Sequence, residues 1–272
     1  MSRPSVGDRI KLGGKLEDFV RLNGNEAEIF IDGEWIPFTR TRSDTWTDIG
    51  SPYLVGGDMQ AGYFGVVSAN DLITGDALAA LVGISAGTSQ FSTEGWLKFA
   101  YQGKILFVAK KTIRSNISWD QINAANCARG NVVQKTVKGY TFKVRLMKGS
   151  HVAGDSTVPD YGTASSGALN HGSEWNKLML PIHENAAPSK SWAYPNNVGT
   201  NDTAYWGTNF TDADLQTHYN HGDGSYSWCQ ETTYGSSRRL LRGNNGVSYS
   251  RYYSSSGANT NRGWRPVLEL VP

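Results

Sequence analysis

Apolar residues along this chain come in short runs, broken by glycine and polar turns, and the period of the runs changes several times. In GWLKFAYQGKILFVAKK, Trp96, Phe99 and Tyr101 precede Gln102-Gly103, and Ile105, Phe107 and Val108 follow it. That pattern predicts a hairpin with an apolar second strand. In TVKGYTFKVRLMKG, Tyr140, Phe142, Val144 and Leu146 alternate with Thr141, Lys143 and Arg145, a two-residue period that predicts a strand pair. A further strand is predicted over Ser225 to Glu231, where Tyr226, Trp228 and Gln230 alternate with their neighbours. Near the start, Glu28, Phe30 and Trp35 flank Asp32-Gly33, a pair suited to a type I′ hairpin turn.

Helix signals are fewer. Ser118 is a good N-cap with Asp120 in the first turn, and Gly130 is the expected stop; Trp119, Ile122 and Ala125–Asn126 share a side. Ser173 caps a second helix containing Trp175, Leu178 and Met179, which Pro181 ends or kinks. Around 68–85, either Ser68 with Asp71 forms a loose capping box or Thr74 caps a helix with Asp76 in its first turn. Leu78, Leu81 and Val82 then fall on one face. Thr211 caps a helical turn in TDADL. The organisation expected is a small β-rich module over 1–50, a connecting segment with a short helix over 51–94, and an α+β domain over 95–272.

Composition sharpens this picture. With 31 Gly among 272 residues and few long apolar runs, short strands and tight turns are favoured over a helical bundle. Net charge is +2, from 26 basic and 24 acidic residues, so nothing favours nucleic acid as a partner. No run approaches the roughly 18 apolar residues of a membrane span. The opening MSRPSVGDRIKLGG has no apolar core of a secretory signal. Cys127 and Cys229 lack metal-ligand spacing, and without an export signal free, buried thiols are expected.

Candidate chemistry is sparse. His183-Glu184 is not followed by a second His, because position 187 is Ala187, so a zinc-protease string is absent. His218 and His221 lie near Asp212, Asp214 and Asp223, which read better as polar loop residues than as metal ligands. No catalytic, metal or cofactor residues are assigned. What stands out is aromatic loop composition: Trp192, Tyr194, Tyr205, Trp206, Tyr226, Tyr249, Arg251, Tyr252, Tyr253 and Asn259 among Ser, Asn and Gly. Rigid Tyr and Trp with adaptable Ser and Asn is the composition of a binding surface, and these ten are the candidate ligand-binding residues. Trp228 and Trp264 sit in strand-like runs and are expected in the core.

Two strings carry a family resemblance. Arg239, Leu241, Arg242 and Gly243, then Gly263-Trp264-Arg265-Pro266-Val267-Leu268, resemble the closing segment of C-type-lectin-like domains in tailed-phage virion proteins. Residues 172–179, Gly-Ser-Glu-Trp-Asn-Lys-Leu-Met, resemble a string of the second helix of those domains. The formylglycine-generating enzymes are similar more distantly. Their late cysteine pair is missing here, since only Cys229 lies in that region, and the calcium-lectin loop motifs are only approximated at Tyr194-Pro195-Asn196 and Thr200-Asn201-Asp202. The resemblance implies two helices on a twisted antiparallel sheet, binding without catalysis, and location in a virion. It also implies virion neighbours, a host-surface glycan or protein as partner, and a homo-oligomer. A purely architectural capsid, collar or tail protein is the alternative. The family's helix and late-strand cysteines often pair, which would join Cys127 to Cys229. Asn244–Asn261 resembles, in composition, segments that some such phages diversify.

Overall fold

The computed structural model describes residues 20–23, 26–31, 34–37, 47–129, 133–150, 157–158, 170–233 and 237–272. The chain divides into two compact units, Met1–Asp44 and Thr45–Pro272. In the first, β1 (Val20–Asn23), β2 (Glu26–Ile31) and β3 (Glu34–Pro37) form an antiparallel sheet. Ile31 pairs with Glu34, the register that a two-residue hairpin requires; Asp32 and Gly33 themselves lie outside the described residues.

The second unit is α+β. Its strands are β4 (Gly56–Gly57), β5 (Ala61–Val67), β6 (Thr88–Ser89), β7 (Trp96–Tyr101), β8 (Lys104–Ala109) and β9 (Arg114–Ser115). They continue as β10 (Gln134–Val137), β11 (Tyr140–Arg145), β12 (Thr157–Val158), β13 (Tyr226–Thr233), β14 (Arg238–Gly243), β15 (Ser250–Ser254), β16 (Arg262–Trp264) and β17 (Val267–Leu270). The described α-helices are α1 (Gly75–Val82), α2 (Trp119–Ala124), α3 (Glu174–Met179) and α4 (Asp212–Leu215). One sheet runs β10-β11-β17-β8-β7-β5-β4 and the other β15-β14-β13-β16-β9-β6, with β12 beside β13. Pairing is antiparallel except where β13 meets β12 and β16.

Both faces of β7 and β8, at the middle of the first sheet, are buried, which explains why these strands are nearly continuous in apolar residues. Trp96, Ala100, Ile105 and Phe107 pack with α1, α2 and the second sheet through Leu78, Ile122, Trp228 and Leu241. Leu97, Phe99, Leu106 and Val108 pack on the other side with Trp175, Leu178 and Met179 of α3 and with Leu215. The β7–β8 turn is Gln102-Gly103, both at positive φ (50° and 76°). That is the geometry of a turn matched to strand twist.

The 51–94 segment is therefore not a connector. Its strand β5 pairs with β7 inside the first sheet, and α1 buries Leu78, Ala79 and Val82. Thr74 caps α1 at Ala77 N, while Ser68 and Asp71 close a separate turn. Leu81 points away from that core, 38% exposed. The helix at Ser118 has its capping box with Gln121 but ends at Ala124, with Ala125 as its C-cap; Asn126 takes the left-handed turn (φ 58°) expected of Gly130, which lies outside the described residues. Cys127 and Cys229 are free and both buried, so the cysteine pairing implied by the resemblance does not occur.

The two sheets are joined by the closing run. β16 belongs to the second sheet and β17 to the first, with only Arg265-Pro266 between them. The path from β8 to β9 crosses alongside, so Ala109 N meets Pro266 O (3.0 Å) and Ile113 N meets Trp264 O (2.9 Å). Gly263 is needed there: a Cβ would stand 2.7 Å from Thr112 Cβ. Arg265 fills the junction at 1% exposure. It donates to Ser227 Oγ (2.9 Å), to Ala109 O (3.0 Å), and to the carbonyls of Lys110 and Leu215. No carboxylate is among these partners, and burial pushes its pKa down.

Candidate functional site

The long segment between α3 and β13 has little regular structure, so its shape depends on buried polar anchors. Asp202, at 1% exposure, is the main one. Its carboxylate accepts from Gly172 N (3.0 and 3.1 Å to the two oxygens), Gly199 N (3.0 Å) and Asn176 Nδ2 (2.8 Å). Asn176 in turn accepts from Arg242 Nη2 through Oδ1 (2.7 Å). Arg242 also donates to Gly149 O (2.9 Å) and, through Nε, to Tyr249 O (3.2 Å). Asn197 Nδ2 reaches Ser248 O (2.8 Å). The 194–202 turn and the loop entering β15 are thereby fastened to each other and to α3.

These anchors bring four tyrosines together. Tyr194 lies against Tyr249 with ring centroids 4.5 Å apart. Tyr249 neighbours Tyr226 at 6.2 Å, and Tyr226 meets Tyr253 edge-on at 5.7 Å. Tyr226 pairs across the sheet with Gly243, at φ 93°, where a Cβ would stand 2.4 Å from Ser225 O. Arg251 lies 5.3 Å from the Tyr253 ring centroid and Arg262 4.0 Å, on cation–π geometry. Tyr226 is buried beneath, and burial followed by its tyrosine neighbours raises its pKa, keeping the hydroxyl protonated. Arg251 is exposed, and Tyr194, Tyr249 and Tyr253 are half-buried. The result is a tyrosine–arginine face on the edge strand β15.

The other candidates lie elsewhere. Trp192 packs on the His183 ring at 5.9 Å. Tyr205 is exposed and bonds Asn209 Oδ1 (2.5 Å). Trp206 rests on Phe99 at 6.4 Å and lines a cavity of about 490 Å³. Tyr252 falls on the opposite side of β15 from Arg251 and Tyr253, by strand alternation. Asn259 spends its side chain on Asn261 N (3.2 Å). Arg262 was not among the sequence candidates; its only signal was a charge next to the closing Gly-Trp pair.

The His and Asp residues of this region serve the scaffold. Asp212 accepts from Thr217 Oγ1 (2.5 Å) and Val247 N (2.9 Å), and His183 Nε2 stands 3.3 Å from it, poorly aligned for a hydrogen bond. Among the described residues no group of three or more His, Cys, Asp or Glu is placed to hold a metal ion. No described helix is long and apolar enough to cross a membrane.

One buried acid makes stability depend on pH. Burial raises the Glu231 carboxyl to about 7, although Gly149 N donates to it (3.1 Å). An acid whose folded pKa is raised holds its proton more tightly when folded, so its contribution to stability falls as pH climbs from about 4.5 to about 7 and then levels. Urea unfolding of Glu231→Gln against the wild type checks this. The variant should gain on the wild type by up to roughly 3 kcal/mol between pH 4 and pH 8. A difference that does not change with pH would contradict it.

No protein-family model, no curated protein and no solved structure matches this chain.

Proposed function

We propose that this protein is a tailed-phage virion structural protein whose second unit is a C-type-lectin-like domain, binding a host-surface glycan or protein without chemistry of its own. The observation that carries the reading is the tyrosine–arginine face formed by Tyr194, Tyr249, Arg251, Tyr253 and Arg262. Its rings are held by buried anchors, so little conformational freedom is lost on binding, the condition under which aromatic and arginine side chains become dominant contacts. The fold assignment is supported by the closing strand β17 set between β11 and β8, by α2 and α3, and by the long anchored segment before β13.

Labelled protein is expected to adsorb to cells of the phage's host. Tyr194→Ala combined with Arg251→Ala should weaken adsorption roughly tenfold or more while leaving the melting temperature unchanged. Equal adsorption by a folded double variant would remove this face as the receptor surface. A second reading, an architectural protein, is favoured by one feature: Tyr53, Leu54 and Val55 form an exposed apolar run (68%, 36% and 56%). A neighbouring virion subunit would cover such a run.

A further inference from the structure

The face of the first sheet that α3 covers is not covered to its end. Strand alternation puts Lys143 and Arg145 of β11 on that face, beside Glu269 of β17 and Leu106 of β8. These residues floor a cleft of about 160 Å³. Lys104, Arg129, Lys143, Arg145 and Lys148 line it against only Glu174 and Glu269, five cations to two anions.

Both carboxylates are already committed. Glu174 takes both terminal nitrogens of Arg145 (2.8 and 2.5 Å) and the Lys148 amide (2.8 Å). Glu269 takes Arg145 Nε (2.8 Å) and Lys104 Nζ (2.7 Å), and these cations hold its pKa low against the effect of burial. The half-buried Lys143 and Lys148 side chains have no hydrogen-bond or ion-pair partner among the described residues. Lys143 and Lys148 therefore line a confined space in which cations outnumber carboxylates, and among the described residues no carboxylate is left over for them. A cleft with low-dielectric walls concentrates the field of such an excess.

A second cavity adjoins the first. The space of about 490 Å³ beside Trp206 shares Tyr101 and Gln102 with the cationic cleft, so the β7–β8 turn is the saddle between them. Its lining sets the Trp206 ring among Asp58, Gln60, Lys177 and Asn201. One amphipathic ring with several hydrogen-bonding groups suits a polyhydroxylated ring with an apolar face. Burial, then the Glu174 charge, pushes the Tyr101 hydroxyl up to about 12, so it remains a donor at the junction.

We infer that these two cavities form one groove that binds an acidic saccharide, with the sugar ring on Trp206 and its anionic group between Lys143 and Lys148. The site is separate from the tyrosine–arginine face and does not depend on that face being a receptor surface. Sulfate, phosphate or carboxylate could supply the anionic group. Charge-assisted hydrogen bonds from two lysines satisfy any of them.

Calorimetry on the full chain, with defined oligosaccharides, tests the inference. The probes are a sulfated heparin tetrasaccharide, a carboxylated hyaluronate tetrasaccharide, a neutral maltotetraose and inorganic sulfate. At least one acidic saccharide should bind, identifying the anion, and maltotetraose should not. Lys143→Gln with Lys148→Gln should weaken that binding about tenfold or more, the size of one or two charge-assisted hydrogen bonds. Lys138→Gln, which removes an exposed charge outside the cleft, should leave it within about twofold. Trp206→Ala should weaken the saccharide and leave any binding of inorganic sulfate unchanged. No binding by either acidic saccharide would overturn the inference. So would equal weakening by Lys138→Gln, which would mark diffuse charge, or inorganic sulfate binding as tightly as the saccharide.

Discussion

Arg265→Met is expected to cost the second unit most of its stability, on the order of 4–6 kcal/mol. The side chain is nearly the right length, so the loss is not chiefly one of volume. Four acceptors would remain buried without a donor: Ser227 Oγ and the carbonyls of Ala109, Lys110 and Leu215. They come from β8 and the residue after it, from β13, and from α4, so one side chain closes the seam between two sheets and a helix. Domains of this size are stable by only about 5–15 kcal/mol. A thermal melt should show a fall of roughly 10 °C or more, or no folded protein at all. Arg265→Lys, which keeps charge and some donors, should fall between variant and wild type. A melting temperature for Arg265→Met within about 3 °C of wild type would show that the junction does not depend on this guanidinium.

Asp202→Ala should act more locally. Removing the carboxylate leaves Gly172 N and Gly199 N without their acceptor in a buried site and leaves Asn176 Nδ2 with only Asn197 O (2.8 Å). The cost is about 3 kcal/mol, since unsatisfied buried donors cost roughly 1–3 kcal/mol each and the segment can relax. Hydrogen exchange should locate the damage. Amides over 194–202 and 246–250 should exchange faster, because Asn176, Arg242 and Asn197 link those stretches. Amides of β7, β8 and β17, buried on both faces, should keep their protection. On the proposed receptor role, adsorption to host cells should fall too, although no residue of the tyrosine–arginine face has been changed. Uniform loss of protection across the unit would mean that Asp202 braces the whole fold instead.

Local chemistry in the sequence located most elements. Thr74, Ser118, Ser173 and Thr211 all accept the backbone bond expected of an N-cap, and Gln102-Gly103 forms the predicted turn. Trp228 and Trp264 are in the core, at 1% and 0% exposure. What could not be read depends on contacts distant in sequence. β5 becomes an interior strand because β7 lies beside it, and nothing in AGYFGVV announces that partner. Arg145 looked like the solvent side of an alternating strand, yet it is buried between Glu174 and Glu269, whose positions in the chain give no sign of convergence. Lys98 likewise interrupts an apolar run but is fully buried, donating to Ile49 O (2.7 Å) and Ser51 O (2.9 Å).

The candidate site was legible in its residue types and not in its membership. Aromatic and polar loop composition singled out ten residues, eight of them aromatic. The structure gathers Tyr194, Tyr226, Tyr249, Arg251 and Tyr253, adds Arg262, and leaves Trp192, Tyr205, Trp206, Tyr252 and Asn259 outside the face. Which rings meet is decided by Asp202, Arg242 and Asn197, polar residues that composition does not distinguish from ordinary loop chemistry.

The central claim, which rests on the proposed virion role, is that a buried junction displays this face for a partner outside the particle. A reconstruction of the intact phage particle at side-chain resolution tests it most directly. The account predicts the second unit at the particle's exterior, with Tyr194 and Arg251 turned to solvent. Absence of the chain from the particle, or those two residues buried against a neighbouring subunit, would contradict it.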